Sequence, residues 1–198
     1  EPGERNNRLL KEIDQRAADP RTAALNIESY TYLPQVFFPY QQAERAWHWM
    51  KHIGSRLFLP HVRESQGRNE DYPELSFTML SHAIEGLSGF SANLPAGRVA
   101  TCPCLPEEVP ALSIKALQVG ADEMDLELHS PHEITFQNHS ARPLVWKCSF
   151  AGQFLHFLRD GEEVQPHAEV VNGVARSFIE VSVPPQSGSR VAAISQAV

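Results

Sequence analysis

The chain has 198 residues, is 42% hydrophobic and 21% charged, and carries a formal net charge of −7. That composition is ordinary for a globular protein, with room for one medium domain or two small ones. The acidic balance and the lack of a basic stripe exclude a phosphate-neutralising nucleic-acid binder, and no apolar run approaches the roughly 20 residues of a membrane span.

Residues 4–18 have helical spacing, with Leu9, Leu10, Ile13 and Ala17 as a narrow apolar stripe among charges. Asp19-Pro20 ends that helix, because the proline ring disfavours helix at the preceding residue. Residues 27–40 then combine Tyr30, Tyr32, Phe37, Phe38 and Tyr40 with two prolines. The prolines divide the stretch into short units, and so many rings must pack against something. A second helix, over 42–57, presents Ala46, Trp47, Met50 and Ile53 on one side. Residues 61–71 are polar and read as a loop.

Asp71-Tyr72-Pro73-Glu74 is a helix-start signal, with an aspartate N-cap, proline in the first turn and glutamate at the third position. Leu75, Met79, Ala83 and Leu87 recur at intervals of four, and Leu80 and Ile84 widen the face. Gly86 and Gly89 weaken and then end the helix.

The organisation predicted is α+β in two parts: a helical segment over 1–92, a proline-rich connector over 93–111 and a β domain over 112–198. After Leu112 the apolar period changes to two. Met124, Leu126 and Leu128 alternate with polar residues, as do Ile134 and Phe136, and Leu144, Trp146, Cys148 and Phe150 lie on one side of the next run. Ser130-Pro131-His132 and Asp160-Gly161 mark turns, and residues 177–183 and 190–194 supply the last strands. About seven short strands at this spacing describe an antiparallel β-sandwich.

Cys102, Cys104 and Cys148 are odd in number, and C-x-C lacks the second ligand pair of a zinc site. They read as reduced structural cysteines, Asn138-His139-Ser140 as a chance glycosylation sequon, and the chain as cytoplasmic, with a secreted or periplasmic location as the alternative. No cofactor and no metal are expected. His48 and His52 stand four apart on a helix without a third ligand, and His129, His132 and His139 gather near one turn.

Three helices of this length cannot enclose so many rings, so a partner is expected: the missing N-terminal part of a longer chain, a partner chain, or the sandwich itself. The run from Asn26 to Pro34, then a helix, then Asp71 to Phe77 and Ile84 to Phe90 resembles the closing hairpins of bacterial six-hairpin glycosidases. Cys104 to Val109 looks like the connector of such proteins, and Leu117 to Leu128 like the start of their C-terminal sandwich. The resemblance implies the last helices of an (α/α)6 barrel followed by a β-sandwich, acting on a saccharide substrate.

Glycoside cleavage usually needs two carboxyl groups flanking the bond. Glu74 is one candidate because it opens a long helix, whose dipole favours the ionised form; the alternative is a capping-box partner of Asp71. Glu28 is the other, beside Tyr30 and Tyr32, rings of the kind that stack on sugars; the alternative is a structural pair with an arginine. Tyr30, Tyr32 and Asp71 are expected to bind substrate, although Asp71 with Glu64 and Glu70 also reads as a solvated loop. Trp146 reads as core. No nucleophile-elbow, zincin, Walker or dinucleotide motif occurs. The expected function is therefore that of a carbohydrate-active enzyme, hydrolysing or phosphorolysing glycosidic bonds, whose isolated 198 residues are inactive. Two alternatives are a non-catalytic carbohydrate-binding or scaffolding sandwich, and a complete small protein of unrelated role.

Overall fold

The computed structural model describes residues 2–22 and 26–196. It is α+β and divides into two compact units, Glu1–Gly86 and Leu87–Val198.

The first unit contains helices α1 (Pro2–Ala18), α2 (Leu33–Phe37), α3 (Ala43–Gly54) and α4 (Pro73–Ser81), with one 3₁₀ turn between α1 and α2, one between α2 and α3 and two between α3 and α4. On α1 the buried side is Leu10, flanked by Ile13, Asp14 and Ala17, whereas Leu9 is exposed. Asp14 accepts a hydrogen bond from the Trp49 indole at 2.8 Å, which fixes α1 more firmly than exposed pairs such as Arg16–Glu12, worth only about 0.5 kcal/mol. On α3 the core residues are Ala46, Trp49, Met50 and Ile53. Trp49, rather than Trp47, carries the large ring inward, where it stacks on Tyr30 with centroids 5.6 Å apart. The aromatic stretch is packed as its composition requires, with Phe37 and Phe38 buried.

Two features of α4 depart from its sequence pattern. Its N-cap is Tyr72, whose extended backbone is what a residue before proline adopts. Asp71 belongs instead to the preceding 3₁₀ turn, Asn69–Asp71, where its carboxylate accepts the Arg68 N–H at 2.8 Å. The helix then passes into a π-helical turn, His82–Leu87. The buried face of the helix is Leu75, Thr78 and His82, with Phe77 and Leu80 exposed, and the wider turn shifts that face only beyond His82. Gly86 lies under Phe38, where a β-carbon would fall 2.3 Å from the ring.

The second unit is an eleven-stranded sandwich among the described residues. Its strands are β1 (Ser91–Asn93), β2 (Arg98–Thr101), β3 (Leu112–Val119), β4 (Asp122–Ser130), β5 (Glu133–Asn138), β6 (Leu144–Ala151), β7 (Phe154–Arg159), β8 (Glu162–Val164), β9 (His167–Val171), β10 (Val174–Val183) and β11 (Ser187–Gln196). One sheet has the order β1-β2-β6-β10-β9 and the other β3-β4-β5-β11-β7-β8. All neighbours are antiparallel except β2 and β6, which run parallel. Residues 93–111 are therefore not a plain connector, since β2 is a sheet strand. The compact unit begins at Leu87, where Ser88 and Leu87 carbonyls accept the Cys102 and Cys104 amides. Gly89 permits that approach with φ +64, a β-carbon there falling 2.1 Å from the Cys102 oxygen.

The inner faces follow the alternation read from sequence. Met124, Leu126, Leu128, Ile134, Phe136, Leu144, Trp146, Cys148 and Phe150 are all buried. Trp146 stacks on Phe136 at 5.3 Å and donates its indole N–H to the Thr101 hydroxyl at 2.9 Å. Asp160 and Gly161 both have positive φ and close the β7–β8 hairpin, whose twist demands it. No described helix is long and apolar enough to cross a membrane.

Candidate active site

The polar segment after α3 is an ordered loop. Its two limbs are tied by main-chain hydrogen bonds: Glu70 N–H to Leu57 O at 2.8 Å, Asn69 N–H to Leu59 O at 3.0 Å and His61 N–H to Gly67 O at 2.8 Å. The Asn69 side-chain amide clamps the loop to the turn that follows α3 by donating to Arg56 O at 2.8 Å. This framework turns His61 inward, leaving it 4% exposed in an otherwise polar stretch.

There His61 meets Glu28, which sits on the 3₁₀ turn Ile27–Tyr30. His61 Nε2 lies 3.2 Å from Glu28 Oε1. The second carboxylate oxygen accepts from the Asn26 side-chain amide, and Asn26 Oδ1 in turn accepts the Glu28 N–H at 3.2 Å. Glu28 is thus held at both oxygens, with part of its side chain still open to solvent. A hydrogen bond to a charged group contributes about 1.5–3 kcal/mol, enough to fix one rotamer. No arginine pairs with it among the described residues.

Tyr72 stacks on the His61 ring, centroids 4.5 Å apart and planes 21° apart. Its phenol is pushed above the ordinary tyrosine range, first by desolvation and then by the charge on Glu28; Glu74 and Asp71 add to the rise and Arg63 opposes it. Three carboxylates named from the sequence, Glu28, Asp71 and Glu74, therefore act on one phenol. Glu74 is exposed in the first turn of α4, and its carboxylate forms no ion pair or hydrogen bond among the described residues. It is not in a capping box with Asp71, because Asp71 is already engaged by Arg68.

The remaining residues sort differently. Tyr30 is 7% exposed, packed between Trp49 and His52, so its ring belongs to the core. Tyr32 is 60% exposed. Glu70 pairs with Arg68, and Glu85 accepts from Ser81. His48 and His52 both lie against Trp49. In the sandwich, His129 contacts Thr135, His132 packs on Phe150 and Phe154, and His139 pairs with Asp125, so the three do not converge.

His61 and Tyr72 were not among the residues singled out from sequence. His61 lies 33 positions from Glu28 inside a polar loop, a setting that carries no periodic signal of burial. No protein-family model matches the chain, and no curated protein matches it.

Proposed function

We propose that this chain is part of a carbohydrate-active enzyme of the six-hairpin type, in which the helical unit lends the side-chain carboxylate of Glu28 to cleavage of glycosidic bonds by water or phosphate. The observation that carries the reading is the clamp on Glu28. A carboxylate held at both oxygens by donors, yet still open to solvent, is arranged to accept a proton or a sugar hydroxyl. Glu74 stands near the same phenol, exposed in the first turn of α4, and serves as a second acceptor. The proton-donating carboxyl then belongs to another part of the enzyme.

The reading of α1 to α4 as closing hairpins of an (α/α)6 barrel draws support from Phe58, Leu59, Val62, Phe77 and Leu80, which are all at least half exposed. Neighbouring barrel helices would cover such surface. The alternative of a sugar-binding sandwich is weaker. No ring is fully exposed among the described residues of the second unit, and the half-buried Phe178 is covered by Lys147, whose ammonium lies 4.0 Å from the ring centroid.

The test offers a panel of para-nitrophenyl α- and β-glycosides and natural oligosaccharides, with and without phosphate, to the complete gene product. Turnover is expected, with Glu28→Gln lowering it about 10²- to 10⁴-fold while its circular dichroism stays that of the folded wild type. A folded wild-type protein that cleaves nothing on the panel, or a Glu28→Gln variant that keeps its full rate, would overturn the reading.

A further inference from the structure

The backbone amide of Arg63 donates to His61 Nδ1 at 3.0 Å. An amide N–H only donates, so Nδ1 must present its lone pair and the ring proton must sit on Nε2. Nε2 is the nitrogen that faces Glu28 Oε1. On the other side of the carboxylate, the Asn26 amide is oriented by its own Oδ1 accepting the Glu28 N–H, which turns its NH₂ toward Glu28. Both oxygens of Glu28 therefore look at donors. A proton taken up by Glu28 would sit on a lone pair turned away from both donors, on the side open to solvent. Burial matters too: His61 is almost fully enclosed, and the stacked Tyr72 ring fixes the plane of the imidazole.

We propose that His61 is the positioning residue of this site, a fixed Nε2–H donor that holds the Glu28 carboxylate in one rotamer and aims it, with the Arg63 amide setting its tautomer and Tyr72 its plane. The catalytic meaning rests on the reading of Glu28 as a reacting carboxylate, whereas the tautomer stands on geometry alone. Glu28 then acts as base, nucleophile or hydroxyl acceptor, and the acid lies elsewhere.

Two measurements test this. Nitrogen-15 NMR of the wild-type chain at about pH 8, where an ordinary imidazole is neutral, should give the Nε2–H tautomer for His61, with that proton's shift moving in Glu28→Gln. The Nδ1–H tautomer, or a shift indifferent to Glu28→Gln, would overturn the proposal without any assay of activity. In the complete enzyme, His61→Phe should lower kcat roughly 10- to 100-fold with little change in KM, as expected for a misaimed group. His61→Gln, which retains an N–H donor, should recover most of the loss. Equal losses in the two variants, or none in either, would mean that His61 only fills space. If the wild-type enzyme cleaves no glycoside, the functional reading fails while the NMR result still decides the positioning role.

Discussion

His82 Nε2 lies 2.8 Å from the main-chain oxygen of Thr31, 51 residues away in sequence, and both residues are almost fully buried. A carbonyl only accepts, so Nε2 carries the proton. Nδ1 has no partner among the described residues. The neutral ring satisfies this arrangement, and a second proton would have no acceptor. Thr31 in turn donates its N–H to Glu28 O at 3.2 Å, so the contact also steadies the turn that carries Glu28.

Stability should fall in mild acid. Burial is the leading cause that lowers the pKa of His82, His52 and His132 below the ordinary 6.5; at His82 the Thr31 carbonyl and Glu85 oppose it. The unfolded chain then takes up protons before the folded one as pH drops. Stability is full above about pH 6.5 and declines below it until the folded histidines titrate in turn. Thermal unfolding between about pH 7 and pH 5 measures this, and His82→Gln, which keeps a donor for Thr31 but does not titrate, should flatten the profile.

Thr101→Val should destabilise the sandwich by about 1–3 kcal/mol, the cost of leaving a buried donor unpaired. The variant keeps the side-chain shape but strands the indole N–H of the fully buried Trp146. Urea unfolding at neutral pH, followed by circular dichroism, reads the loss.

Two neighbouring carboxylates should respond to removal by different amounts. Asp71→Ala loses the acceptor of the Arg68 N–H and should cost about 0.5–2 kcal/mol, like other lost turn caps. Glu74→Gln removes only a helix-end charge and should stay within about 1 kcal/mol of wild type. Chemical unfolding of both variants checks the contrast, and a loss of turnover in Glu74→Gln would then not be a folding defect.

The thiols should be inert until the protein unfolds. Cys102, Cys104 and Cys148 are all buried, and burial pushes the Cys148 thiol well above its ordinary range and raises Cys102. Ellman's reagent should find almost no reactive thiol in the native chain and three in denaturant.

The parts legible in the sequence are those whose burial is one-sided. β4, β5 and β6 alternate because one face of each meets the core, and α1 and α3 show their stripes for the same reason. Asp160-Gly161 was readable because a two-residue hairpin turn needs that chemistry. Asn172-Gly173 turns between β9 and β10 in the same way, but β9 is an edge strand, largely exposed, and shows no alternation. β2 was hidden among prolines, since its parallel partner β6 lies more than forty positions away. The π-helical turn was invisible because Met79, Ala83 and Leu87 keep a regular spacing that the chain does not follow. Of the site, the acidic residues could be named, but the buried donor that holds Glu28 could not. His61 is enclosed by a loop framework made of main-chain hydrogen bonds, which side-chain identity does not encode.

The place of β11 has a consequence for how the protein is made. Although it is the last strand, it is hydrogen-bonded between β5 and β7, in the interior of its sheet. During synthesis, β3-β4-β5 and β7-β8 emerge from the ribosome as two separate ribbons with open edges. Neither can be joined to the other until residues 187–196 have cleared the exit tunnel. The sandwich therefore closes only after translation has passed β11, and until then the nascent chain exposes the two edges most in need of a chaperone's cover.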